Sequence, residues 1–119
     1  MVGVVLITLL ILVGGIYLAS RSSQPTITGL DDFAKCLTDK GTVMYGAAWC
    51  SHCQNTKRTF GESFQYIKYV ECPVETQVCI EKQVNGYPTW ILGDGTKLEG
   101  EQSLDNLSKL TSCPLTKSE

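Results

Sequence analysis

The stretch GAAWCSHCQNTK, Gly46 to Lys57, sets Cys50 and Cys53 two residues apart behind Trp49, with the chain's one histidine, His52, between them. Such a pair can clamp a metal, staple a fold, or be oxidised and reduced in turn. The neighbouring sequence favours the last. TVMYGAAW, Thr42 to Trp49, is a short apolar run rich in strand formers, and the residues after it read as a helix to about Phe60, with Gly61 available to end it. The cysteines therefore sit where a strand turns into a helix. A sulfur in the first helical turn lies among unpaired N–H groups at the positive end of the dipole, which stabilises thiolate over thiol. Cys50 takes that place, and Cys53, one turn on, is near enough to attack a mixed disulfide formed at Cys50. His52 can lend a hydrogen bond or a positive charge to the Cys50 thiolate, which leans the pair toward oxidation or isomerisation.

Working outward, LDDFAKCLTDKG puts Leu30, Phe33, Ala34 and Leu37 on one face of a short helix that Gly41 can end. YIKYVEC alternates as a strand, VETQVCIEKQV reads as a helix, and NGYPTWILGDGTKLEG as two strands joined at Gly-Asp-Gly. SLDNLSKL closes the domain with Ser103 as cap and Leu104, Leu107 and Leu110 on one face. The expected order is helix, strand, helix, strand, helix, strand, strand, helix.

The 119 residues divide into three parts. Residues 1–20 carry the uncharged run from Val2 to Ser20, long enough as a helix to cross most of a hydrocarbon layer of roughly 30 Å. It is read as a membrane anchor, with a cleaved signal peptide as the alternative. Residues 21–29 are a polar linker, and residues 30–119 form the folded domain. Six cysteines, at 36, 50, 53, 72, 79 and 113, imply an oxidising compartment or a bound metal. That content places the domain on the extracytoplasmic side, against the weak cytoplasmic signal of Arg21. A net charge of −2 with no basic cluster argues against nucleic acid as a partner.

The dipeptide Tyr87-Pro88, just before a predicted strand, would alone mark only a turn or strand edge. Together, VMYGAAWCSHC and GYPT resemble the thioredoxin superfamily over Leu30 to Cys113. The longer stretch from Phe33 to Cys72, with GYPTWIL, is similar to the thioredoxin-like domain associated with bacterial homologues of vitamin K epoxide reductase. The resemblance implies an α/β thioredoxin-like fold with a central mixed sheet of four or five strands flanked by helices. It makes Cys50 the attacking cysteine, Cys53 its partner, Pro88 a cis proline facing the thiols, Tyr87 a backbone contact for substrate, and Trp49 part of the docking surface. It further implies exchange of disulfides with extracytoplasmic proteins, in the oxidising direction, with a quinone-linked membrane oxidase as partner. No dissociable cofactor and no metal is implied. Many relatives carry a buried carboxylate six residues before the first cysteine. Met44 stands there, so Glu71, Lys57 or water must move the proton of Cys53.

Cys72 and Cys79 are close enough to bridge if the chain turns at Pro73, and similar spacing occurs in the resembled domains; a second electron-relay pair is the alternative. Cys36 and Cys113 pair by elimination, against the alternative of two free buried thiols. Three rival functions use the same residues: a zinc module built on Cys50, Cys53, Cys72 and Cys79, a membrane-tethered disulfide reductant for cytochrome maturation, and a redox-inert binding scaffold. The sequon at Asn106 falls inside a predicted helix and is read as chance.

Overall fold

The computed structural model describes residues 3–4 and 28–116. The apolar run at Val2–Ser20 and the linker thus lie almost wholly outside the described residues. No helix among the described residues is long and apolar enough to cross a membrane.

Helix α1 spans Thr28–Asp39 and buries Phe33, Ala34 and Leu37. It stops where Gly41 takes φ 84°, a conformation that favours glycine, and the Thr42 N–H bonds Leu37 O. Strand β1, Val43–Gly46, then leads through a short turn into α2, Ser51–Phe60. Gly61, at φ 57°, ends α2 as its sequence foreshadows, and a 3₁₀ segment over Gly61–Tyr66, which the sequence does not announce, fills the connection to β2, Lys68–Glu71. Helix α3 follows at Thr76–Glu81, then β3 at Thr89–Ile91, β4 at Lys97–Glu99, and α4 at Leu104–Thr111. The α4 cap is Ser103, whose hydroxyl accepts from the Asn106 N–H.

Helix α3 is shorter than the eleven-residue run expected from sequence. Glu75 before it is not helical, and Gln83 after it adopts φ 57°. Its one buried residue is Cys79, bonded to Cys72 at the end of β2, so the bridge rather than a broad apolar face fixes its position.

The four strands form one mixed sheet in the order β2-β1-β3-β4. β1 pairs parallel with β2 and antiparallel with β3, and β3 antiparallel with β4. Side chains alternate between the faces. Met44, opposite both Tyr69 and Trp90, joins Phe33, Phe60 and Leu107 in the larger core. Phe60 ties the layers together, its ring lying 6.2 Å from Phe33 and 6.3 Å from Trp90, centroid to centroid. The other face carries a smaller cluster of Tyr45, Val70 and the Cys72–Cys79 bridge. A second bridge, Cys36–Cys113, joins α1 to the segment after α4.

Candidate active site

The site lies at the carboxyl end of β1, where the chain leaves the sheet and opens α2. Cys50 is the cap residue of α2, extended at φ −76° and ψ 122°, and its carbonyl accepts the first helical bond from the Gln54 N–H. The residue is 8 % exposed, and its sulfur stands at the positive end of the helix with the Tyr87 carbonyl oxygen 3.5 Å away. Both Cys50 and Cys53 are unbonded, so this is the dithiol form.

Tyr87 is delivered by the loop before β3, through a cis bond to Pro88. The loop is fastened from both sides: Thr89 Oγ1 donates to Gly86 O at 2.7 Å, and Pro88 O accepts from the Gly100 N–H at 2.8 Å. Above it stands Trp49, 71 % exposed, with its ring edge-on to Tyr87 at 5.8 Å. An exposed indole beside a fixed backbone segment makes an apolar rim on which an extended peptide can lie.

Cys53 is fully buried one turn into α2. Burial pushes its thiol up to about 11, reinforced by the neighbouring Cys50 and opposed by the Ala47 backbone and the Lys57 charge. Gly46 explains how the sulfur fits. A Cβ there would come within 2.7 Å of Cys53 Sγ, so only glycine leaves room.

His52 points elsewhere. Its Nδ1 lies 2.7 Å from Glu101 Oε1, and Glu101 also accepts from Asn55 Nδ2 at 3.0 Å. Those contacts hold the Glu101 carboxyl below its usual range, Asn55 contributing most. The hydrogen bond expected from His52 to Cys50 is replaced by this link between α2 and the segment after β4, a pairing across 49 residues that no local pattern announces. Glu101 and Tyr69 are the site neighbours that sequence reading missed. Tyr69 was accessible in principle, since it stands two residues before Glu71 on an alternating strand.

Cys72 and Cys79 are bonded to each other, which leaves the zinc reading only Cys50 and Cys53 as thiolate donors. Among the described residues no group of three or more metal-ligating side chains converges.

Two neighbouring thiols, one at a helix start beside a fixed carbonyl and one buried a turn behind it, form an arrangement that can exchange disulfides. Residues 26–112 match the family model described as Thioredoxin. The chain is 39 % identical over 101 residues to the Arabidopsis thaliana protein named Thiol-disulfide oxidoreductase LTO1, covering 77 % of this chain and 26 % of that protein. It is 31 % identical over 105 residues to the Drosophila melanogaster Thioredoxin domain-containing protein 5 homolog, covering 75 % of this chain and 25 % of that one. The chain thus spans about a quarter of the length of each relative. It belongs to the thioredoxin family.

Proposed function

We propose that this is a membrane-anchored, extracytoplasmic oxidoreductase that carries disulfides to other proteins in the oxidising direction and is itself reoxidised by a quinone-linked membrane oxidase resembling vitamin K epoxide reductase. Cys50 is the nucleophile exchanged with substrate and Cys53 the resolving thiol. Tyr87 offers its backbone to an extended substrate segment, Pro88 positions that backbone, and Trp49 supplies the apolar rim. Residues 1–20 anchor the chain, and the polar segment after them tethers it to the domain that opens with α1 at Thr28.

The observation that carries this reading is the Cys50 sulfur at the helix start, 3.5 Å from Tyr87 O, in a domain whose other four cysteines are bridged. Two bridges beside an open pair suit a compartment where disulfides persist. The uncharged run from Val2 to Ser20 supports the anchor. The direction rests on the resemblance to domains that partner membrane oxidases, because His52 is engaged with Glu101 and gives no hydrogen bond to Cys50.

The reduction potential of the Cys50/Cys53 pair, measured in glutathione buffers, tests the direction. A value clearly more positive than thioredoxin's, roughly −270 mV, supports the oxidising role. A value at or below it would favour the membrane-tethered reductant instead.

A further inference from the structure

Resolution through Cys53 needs a group that takes its proton, and at position 44 the sheet offers only a buried methionine. The neighbouring strand supplies a different chemistry on the same face. Tyr69 is the register partner of Met44, and Glu71 that of Gly46. The Cβ position of Gly46 lies 2.7 Å from Cys53 Sγ and 3.4 Å from the Tyr69 hydroxyl oxygen, so sulfur and phenol are no farther apart than those two distances together. They share the gap that glycine leaves.

The phenol leads onward. Tyr69 Oη donates to Glu71 Oε2, while Glu71 Oε1 accepts from the exposed Ala48 N–H at 2.6 Å. The carboxylate is half-buried and joins the interior to the surface beside the site. Lys57, on α2, sets its ammonium 4.3 Å from the Tyr69 ring centroid and 5.7 Å from that of Phe64. The cation meets the π cloud of the ring and not its oxygen, which leaves the hydroxyl to Glu71.

We propose that Tyr69 and Glu71 form the proton path of Cys53, the Tyr69 hydroxyl acting as carrier and the Glu71 carboxylate as the acceptor and donor that exchanges with solvent. In the step that resolves a mixed disulfide, the Cys53 proton passes to Tyr69 Oη as the Tyr69 proton passes to Glu71 Oε2. The Cys53 sulfur then forms its bond to Cys50 Sγ, and the bond from Cys50 to the substrate sulfur breaks. Cys50 and Cys53 lose two electrons to the substrate disulfide, whose second sulfur leaves as thiolate, and Glu71 releases its proton to solvent. When the pair oxidises a substrate, the same steps run backward, and Cys53 leaves as a sulfur that regains its proton along the path. Burial, and then the Glu71 carboxylate, hold the phenol well above its ordinary value, so at neutral pH it is a protonated carrier that donates to Glu71.

This rests on reading Cys50 as nucleophile and Cys53 as resolving thiol, and the experiment separates the two. Reduced full-length protein is mixed with the aromatic disulfide dithiobis(nitrobenzoate), and release of thionitrobenzoate is followed by stopped flow across pH 6 to 9, roughly the range in which thiols begin to ionise. The wild type is expected to release one equivalent on attack by Cys50 and a second on resolution by Cys53. In Tyr69→Phe and in Glu71→Gln the first phase should change by less than about twofold. The second should slow by about tenfold or more at neutral pH and recover with rising pH, as hydroxide replaces the path. Tyr69→Phe removes one oxygen and keeps the ring; should it fail to fold, Glu71→Gln, which cannot accept a proton, gives the same readout. Two-phase release with both variants at the wild-type rate would overturn the path alone. Slowing in Glu71→Gln but not in Tyr69→Phe would remove the phenol from it and overturn the proposal as stated. A single equivalent from the wild type would overturn the reading of the pair and the path with it.

Discussion

Cys50 Sγ and Tyr87 O face each other across 3.5 Å, joining the head of α2 to the loop that precedes β3, 37 residues later in the chain. Trp49 closes over that contact with its ring against Tyr87. Because Trp49 is largely exposed, its truncation should cost the fold little, the edge-on pair being worth about 0.5–1.5 kcal/mol. Trp49→Ala is expected to raise the KM for a peptide disulfide several-fold while the reaction with a small disulfide reagent stays near the wild-type rate. Steady-state assays with the two substrates would check the split.

The buried Cys53 thiol makes the reduced fold sensitive to alkali. Its value rises from 9.0 to about 11 on folding, so above the lower figure the unfolded chain holds fewer protons than the folded one. The stabilisation is fully present below that figure and is lost as pH climbs through the higher one. Tm of the dithiol form should therefore fall over this window faster than Tm of the Cys50–Cys53 disulfide form, which has no thiol there to titrate. Tyr45 and Tyr69, also raised by burial, are common to both forms and largely cancel in the comparison.

Gly46 is the tightest test of packing at the site. The methyl of Gly46→Ala would fall inside van der Waals contact with Cys53 Sγ and press on the Tyr69 ring. A loss of about 1–3 kcal/mol is expected in denaturant titrations, together with a shifted reduction potential because the sulfur must move. Wild-type stability and potential would show that the chain opens room for the methyl without cost.

The Cys36–Cys113 bridge spans 77 residues and Cys72–Cys79 only 7. On chain entropy alone, replacing the first pair by serine should cost roughly 4–5 kcal/mol and the second roughly 2–3 kcal/mol. Urea titration of each double variant measures the difference, and the order of the two losses is the point at issue.

Glu101 ties α2 to the segment after β4 through His52 and Asn55. Its carboxyl titrates below the ordinary glutamate value, so its contribution is present above that value and fades as pH falls through the lowered one. The Tm difference between wild type and Glu101→Gln should shrink on acidification from neutral pH to about pH 3.

What could be read in the sequence was whatever depends on neighbours in the chain. W-C-x-x-C after an apolar run gives a strand-to-helix junction directly, Gly41 and Gly61 end their helices where expected, and Ser103 caps the last one. The four-strand pattern was legible from alternation and turn residues, although its order, with β3 beside β1, is a matter of long-range pairing. Contacts across the sheet were not legible for the same reason. Tyr69 borders the gap beside Cys53 only because β2 pairs parallel with β1 in one register, and His52 finds Glu101 only after β4 has brought it back. Helix α3 misled because its residues have helical periodicity but no broad core to cover, so the disulfide and the turn at Gln83 decide its length.

The bridge between Cys36 and Cys113 also governs how the domain comes apart. A protease nick in the exposed Gly93–Gly95 hairpin would leave two pieces, one carrying Cys36 and the other Cys113, that migrate as a single species until a reductant separates them.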